Sequence, residues 1–193
     1  MAYFPFFIEI ENQICLIVGG GEVAYRKAKA ILDFGAHVRV VAPHVCEKLK
    51  KLAECQAQIH IMNREFLAGD LKDALFVIAA TNNRAVNDSV WKLCREKRIL
   101  INVVDEKEQC SFYFPSLVKQ KDMVIGISSG GKSPVLSQTI RKEVENIIPE
   151  YYGELNEYLG EMREYVQKTY DTMDERKAFF EKIIQTYKKE NEI

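Results

Sequence analysis

Ile14-Cys15-Leu16-Ile17-Val18-Gly19-Gly20-Gly21-Glu22-Val23-Ala24-Tyr25-Arg26-Lys27 is the stretch that decides the fold. A short apolar run breaks into three glycines. A helical pattern then opens at once, with Val23, Ala24, Ala28, Ile31 and Leu32 on one face. Glycine tolerates positive φ and lets a ligand approach the backbone. A helix start presents unpaired N–H groups and the positive end of the helix dipole. Together these predict a pyrophosphate cradle, and Gly19-x-Gly21-x-x-Ala24 fits the dinucleotide fingerprint G-x-G-x-x-G/A. The plainer alternative is a glycine-rich turn that binds nothing.

The flanking pattern agrees with the fingerprint. A second strand, His37 to Val41, follows the helix, and Gly35 sits between them where a C-terminal glycine cap belongs. One feature departs from the rule. Dinucleotide sites usually carry Asp or Glu at the end of the second strand, for the ribose hydroxyls. Here that place reads Val41-Ala42-Pro43-His44. Either backbone groups and His44 hold the adenosine ribose, or the ligand is not NAD. No arginine pair for a 2′-phosphate stands there, although Arg39 is near.

Further along, Cys46 to Gln56 reads as a helix and Ile59 to Met62 as a short strand. Leu67 to Asp73 reads as a loop with a helical turn. Leu75 to Ala80 is a continuous apolar run, as expected of a strand buried on both faces, and it ends in Thr81-Asn82-Asn83. Ala85 to Lys97 carries a helical stripe of Val86, Val90, Leu93 and Cys94. Ile99 to Val104 is another buried strand, ending at Asp105. Such alternation predicts a parallel, doubly wound α/β sheet whose ligands bind at the carboxyl ends of the strands. Gly19 to Gly21, Pro43-His44, Thr81-Asn82 and Asp105 all fall there. At the start of the chain, Phe6 to Ile10 reads as an edge strand, with Glu11-Asn12 turning into the first core strand.

The pattern changes near Ser111. Ser111 to Val118 and Met123 to Ser128 read as two strands, with Lys119 to Asp122 as the turn. Ser128-Ser129-Gly130-Gly131-Lys132-Ser133-Pro134 follows. Ser133 as N-cap with Pro134 at the first helical position starts a helix that Pro149 stops near Ile148. Glu150 to Ile193 is helical and strongly charged. Its apolar stripes are Tyr151, Leu155, Leu159, Met162 and Val166, then Phe179, Phe180, Ile183, Ile184 and Tyr187. Thr172-x-x-Glu175 is a capping-box signal for the last helix.

The 193 residues, 47% hydrophobic, suit one sizeable domain with a smaller attachment. A formal net charge of -1 gives no field that favours nucleic acid, and no apolar run approaches the length of a membrane span. The apolar Met1 to Phe7 lacks a basic leader and does not read as a signal peptide. Five scattered cysteines without a C-x-x-C pair argue for reduced thiols in the cytoplasm. Cys15 reads as a small core hydrophobe, and Cys110 is a weak candidate for a reactive thiol. His37, His44 and His60 lack metal-ligand spacing, so no metal site is expected.

Five stretches, in order, carry a resemblance: Gly19 to Lys27, Ala79-Ala80-Thr81-Asn82, Asn102-Val103-Val104-Asp105, Ser111-Phe112-Tyr113-Phe114-Pro115-Ser116 and Ser128 to Pro134. The chain resembles precorrin-2 dehydrogenase, the siroheme-synthase N-terminal module, most strongly from Ile14 to about Ile148. The missing second-strand acid is similar to what this family shows. The resemblance implies oxidation of precorrin-2 to sirohydrochlorin with NAD as hydride acceptor, and in some relatives ferrous iron insertion as well. It stops short of the long C-terminal methyltransferase of the trifunctional relatives. It also implies a homodimer with a Rossmann-like domain over 1–112, a small α+β dimerisation segment over 113–148, and a helical C-terminal domain over 149–193.

Site residues follow from the same resemblance. Gly19, Gly20, Gly21, Glu22, Val23, Pro43, His44, Thr81 and Asn82 would hold NAD. Asp105 matches the family's catalytic aspartate and would accept a proton. Ser128, Ser129, Gly130 and Lys132 would meet the carboxylate arms of the tetrapyrrole, with Arg141 as a further contact. Each has a plain counterpart: Asp105 as a turn residue, the Ser128 stretch as a helix connection, Arg141 as a solvated helical arginine. Two other function classes stay open on sequence alone, an NAD-sensing regulatory module without turnover and an oligomerisation module with a vestigial fold.

Overall fold

The structure is a computed structural model that describes residues 4–191. It contains two compact units, one ending at Tyr113 and the other beginning at Phe114. The first unit is built from β1 (Ile14–Val18), α1 (Glu22–Leu32), β2 (His37–Val41), α2 (Glu47–Cys55), β3 (Ile59–Met62), β4 (Ala74–Ala79), α3 (Arg84–Lys97) and β5 (Leu100–Val103). Its five strands are all parallel, in the order β3-β2-β1-β4-β5. The order reverses beside β1, which pairs with β2 on one side (Ile17 opposite Val40) and β4 on the other (Ile17 opposite Ile78). That reversal makes the carboxyl end of β1 the topological switch point.

Burial explains the strand sequences. Cys15, Leu16, Ile17, Val77, Ile78 and Ala79 are all fully buried, because helices cover both faces of the sheet. Ala24, Ala28 and Ile31 form the inward stripe of α1. Small alanines there bring the helix axis close to the sheet. Val90 and Cys94 of α3 join Leu16, Val18 and Val103 in the core on the opposite face. Gly35 takes a φ of 74°, donates its N–H to the Leu32 carbonyl at 2.9 Å, and ends the first crossover as expected.

The β5 edge is closed by side chains. Ser111 Oγ accepts from the Ile101 N–H at 2.7 Å, and the Ser111 N–H donates to the Ile101 carbonyl at 2.8 Å. Cys110 Sγ accepts from the Val103 N–H at 3.3 Å. These two residues imitate a further strand and occupy the ladder there. Phe112 adds its ring to the same edge, 5.2 Å from that of Phe76. The strand expected from Ser111 therefore begins only at Ser116, after Pro115. A second expectation also fails: Phe6 to Ile10 is not a strand, and Phe6 and Phe7 stand exposed. Pro5 lacks a donor, and the β5 edge is already taken. The Glu11-Asn12 turn is present, with Asn12 at φ 57°.

The second unit opens with an antiparallel hairpin, β6 (Ser116–Gln120) and β7 (Met123–Ile127), turning at Lys121-Asp122. Helices α4 (Pro134–Ile147), α5 (Tyr151–Thr169) and α6 (Met173–Asn191) follow. Ser133 caps α4 by accepting the Leu136 N–H at 3.2 Å. The capping box forms as predicted: Thr172 N–H donates to Glu175 at 3.1 Å, and Glu175 N–H to Thr172 Oγ1 at 3.2 Å. α5 and α6 meet through Tyr151–Tyr187 and Tyr170–Phe179 ring contacts, over Leu155 and Val166 of the buried stripe. The sequence predicts a last helix reaching Ile193, but 192–193 lie outside the described residues. No described helix is long and apolar enough to cross a membrane.

Candidate active site

Three strand ends of the first unit line up along its carboxyl edge: the glycine turn after β1, Thr81-Asn82 after β4 and Asp105 after β5. Adjacent strands lie about 4.8 Å apart, so the row from β1 to β5 spans on the order of 10 Å.

The three glycines differ in what they face. Gly19 has φ 127°, and a Cβ built on it would lie 2.3 Å from the Ala80 carbonyl oxygen. A Cβ on Gly20 would lie 2.1 Å from the His44 carbonyl oxygen. Both must be glycine because neighbouring backbone fills the space. Gly21 is different: a Cβ there meets nothing within 4 Å. Gly21 is the N-cap of α1, in extended conformation, and gives that helix no side-chain cap. The first-turn N–H groups of Glu22 and Val23 therefore open onto free space, where the positive end of the helix dipole favours a phosphate. This opening fits a dinucleotide, and Gly21, Glu22 and Val23 would hold its pyrophosphate.

The loop after β2 folds back on this turn. Cys46 N–H donates to the Gly20 carbonyl at 2.8 Å, and Pro43 and His44 are exposed at the rim. His44 thus meets the glycine turn through its backbone. Glu22 pairs with Lys48 of α2 at 2.9 Å, which offsets a carboxylate beside the cradle. Arg39 is not at this end. Its guanidinium donates to the Asp70 and Lys72 carbonyls at 3.2 Å each, holding the loop before β4.

Thr81 is half-buried and Asn82 exposed. The next residue, Asn83, caps α3 by accepting the Ala85 N–H at 3.0 Å. Asp105 is exposed and adopts φ 64°, a left-handed conformation. Its turn closes through the Glu106 N–H to the Val103 carbonyl at 3.3 Å. Asp and Asn tolerate that region better than most residues, so the backbone builds the turn without the help of the carboxylate. Gln109 Nε2 anchors the following turn on Asp88 at 2.7 Å.

Cys110 does not read as a reactive thiol. Its Sγ lies within hydrogen-bonding distance of the Val103 N–H, at 3.3 Å, and the Val103 carbonyl, at 3.2 Å, while burial pushes its pKa up. Burial also raises Cys15 to about 12 and Cys94 to about 11, and lowers Lys27 to about 8. Among the described residues no group of three His, Cys, Asp or Glu side chains gathers to hold a metal.

Ser128, Ser129, Gly130 and Lys132 belong to the second unit. Both serine hydroxyls accept loop N–H groups, Ser128 from Gly130 at 3.1 Å and Ser129 from Ser133 at 3.0 Å. Gly130 and Gly131 are both left-handed, at φ 64° and 74°. Lys132 is exposed, and Arg141 pairs with Glu145 at 2.7 Å.

Sequence reasoning does not single out Asn87, which is 7% exposed and bonds three times to Thr81. A signal was present. Asn87 stands three and seven residues before Val90 and Cys94, a polar residue on the buried stripe of α3.

Known proteins align with this chain over nearly its full length. A family model described as putative NAD(P)-binding matches residues 6–116. A sirohaem biosynthesis protein central model matches 121–147, and a sirohaem synthase dimerisation region matches 151–186. The dimerisation match thus falls C-terminal to the 113–148 segment expected for that role. A siroheme synthase from Photobacterium profundum is 36% identical over 95% of this chain and 39% of its own length. Siroheme synthase 2 from Yersinia enterocolitica serotype O:8 / biotype 1B is 40% identical over 95% of this chain and 39% of its own. The chain therefore spans about two fifths of the curated relatives it matches. Among solved structures, SirC, a precorrin-2 dehydrogenase, superposes with a TM-score of 0.78 at 25% identity, covering 94% of this chain and 89% of that one.

Proposed function

The chain belongs to the putative NAD(P)-binding family, with the central and dimerisation regions of siroheme synthases following in order, and we propose that it is an NAD-dependent precorrin-2 dehydrogenase. The product is sirohydrochlorin. The observation that carries this is the shared carboxyl edge: an uncapped α1 N-terminus beside Gly21, and the Asp105 carboxylate two strands away.

The reaction removes a hydride and a proton from the tetrapyrrole. NAD, when bound, supplies the acceptor for the hydride. The proton leaves to an Asp105 Oδ, and the electron pair it leaves behind forms the new double bond of the macrocycle. Gly21, Glu22 and Val23 bind the pyrophosphate through backbone N–H groups. Gly19 and Gly20 give the turn its shape, and the backbone around Pro43 and His44 together with Thr81-Asn82 would complete the site that holds NAD. Ser128, Ser129, Gly130 and Lys132 bind the substrate's carboxylate arms, which suits two left-handed glycines and an exposed lysine.

Residues 113–148 and 149–193 serve a homodimer. The dimerisation match supports this for the second of the two spans, as does α6, none of whose described residues is fully buried within one chain. Five free cysteines suit a cytoplasmic protein. A regulatory module without turnover finds no support in relatives named for enzymes.

Anaerobic incubation with precorrin-2 and NAD tests the proposal. Sirohydrochlorin and NADH absorbance should rise together. NAD binding without turnover would indicate a sensor, and absence of NAD binding a vestigial module. The same assay with ferrous or cobalt ion reads any chelation.

A further inference from the structure

The side chain of Asn87 is wholly engaged with one residue. Its Oδ1 accepts the Thr81 N–H at 3.3 Å and lies 2.7 Å from the Thr81 hydroxyl, while its Nδ2 donates to the Thr81 carbonyl at 3.0 Å. The pairing with both backbone groups fixes the orientation of the amide: oxygen toward the N–H, nitrogen toward the carbonyl. Asn87 is 7% exposed, so neither bond has water as a ready substitute.

The clamp reaches further than Thr81. The Ala80–Thr81 peptide is the backbone against which Gly19 packs: a Cβ on Gly19 would lie 2.3 Å from the Ala80 oxygen and 3.0 Å from the Thr81 nitrogen. Ala80 N–H is in turn bound to the Val18 carbonyl at 2.7 Å. One buried amide on α3 therefore holds the rim after β4, and that rim sets the position of the glycine turn after β1. We infer that Asn87 is the positioning residue of the nucleotide cleft, fixing the distance between its two walls without touching the ligand. This rests on the NAD-dependent function proposed above.

Two variants separate positioning from packing. Asn87→Leu keeps the volume within α3 and removes all three bonds. Asn87→Asp keeps the shape, but its carboxylate opposes the Thr81 carbonyl, where an N–H stood. On protonation, the same acid donates to that carbonyl and still accepts from the Thr81 N–H, so the clamp re-forms. NAD affinity is read by calorimetry on the full-length chain across pH, with the thermal midpoint of each variant measured beside it. Asn87→Leu should weaken NAD binding by roughly tenfold to a hundredfold at every pH. Asn87→Asp should show a similar loss at neutral pH that is recovered toward acid, where the wild-type affinity does not rise in parallel. In turnover, KM for NAD should rise while kcat at saturating NAD stays within about twofold.

Equal NAD affinity in folded Asn87→Leu and wild type would overturn the assignment of Asn87 and leave the proposed reaction standing. An Asn87→Asp affinity without pH recovery would overturn it too. A wild-type chain that takes up no NAD would overturn the reaction itself, and the role of Asn87 with it.

Discussion

Gly19 and Ala80 approach so closely that a single methyl group on Gly19 would sit 2.3 Å from the Ala80 carbonyl oxygen, inside any allowed contact. The glycine turn is thus pressed against the end of β4, and its three members answer to different constraints.

Substitution separates those constraints. Gly19→Ala and Gly20→Ala each force a Cβ into backbone, and Gly19 adds a positive φ. Each should cost about 2 kcal/mol or more of stability, read as a fall in thermal midpoint. Gly21→Asp meets open space and an unstrained φ of -83°, so it should fold as wild type. Its carboxylate would face the pyrophosphate and should weaken NAD binding by about a hundredfold. Calorimetry and a melting curve on each variant check both halves.

Asp105→Asn tests the proposed base. Asn adopts the left-handed conformation at least as readily as Asp, so the turn at φ 64° should survive and the melting point should hold. NAD affinity should be preserved, because the cradle lies two strands away. Turnover of precorrin-2 should fall by roughly a hundredfold or more, the contribution of a positioned general base. Near-normal turnover would mean that solvent takes the proton.

Stability should depend on acid through Asp70. Its carboxylate accepts two bonds from Arg64, at 2.5 and 2.8 Å, and one from the Leu67 N–H at 2.8 Å. The Arg64 hydrogen bonds, aided by the Leu67 N–H, hold its pKa below the usual carboxylate value. A depressed folded pKa contributes stability that is present above the unfolded value, about 3.9, and is lost as pH falls below it. Arg64→Ala should therefore lower the urea midpoint at pH 7, since it removes the partner that holds the Asp70 pKa down, though solvent at the 40% exposed Arg64 side chain weakens the effect. The difference from wild type should shrink toward pH 3. Urea titrations at the two pH values measure it.

The two glycines of α5 should respond with opposite signs. Glycine inside a helix usually costs about 1 kcal/mol relative to alanine. Gly160 faces open space, so Gly160→Ala should stabilise by up to that amount. Gly153 is buried, and a Cβ on it would lie 2.9 Å from the Gln120 carbonyl oxygen. Gly153→Ala should destabilise instead, because the N-terminus of α5 packs directly on the end of β6. A pair of melting curves decides it.

The periodicity of the chain was enough to place β1 to β5 and α1 to α3 within a residue or two, and to set the glycine turn, Thr81 and Asp105 at one end of the sheet. Buried parallel strands are apolar throughout, and helix starts carry local cap chemistry, so both are written in neighbouring residues. Ser133 and the Thr172–Glu175 box are legible for the same reason. What tertiary structure decided was every contact between residues distant in sequence or of ambiguous type. Phe6 to Ile10 has strand composition but no strand, because strand formation needs a partner edge, and Cys110 with Ser111 had closed one. Gly19 and Gly21 look alike in sequence, yet Ala80 crowds the first and nothing meets the second. Asn87 is one polar residue on an apolar stripe, and only the fold brings Thr81 within its reach, since a buried amide acquires a role only from the backbone it is packed against.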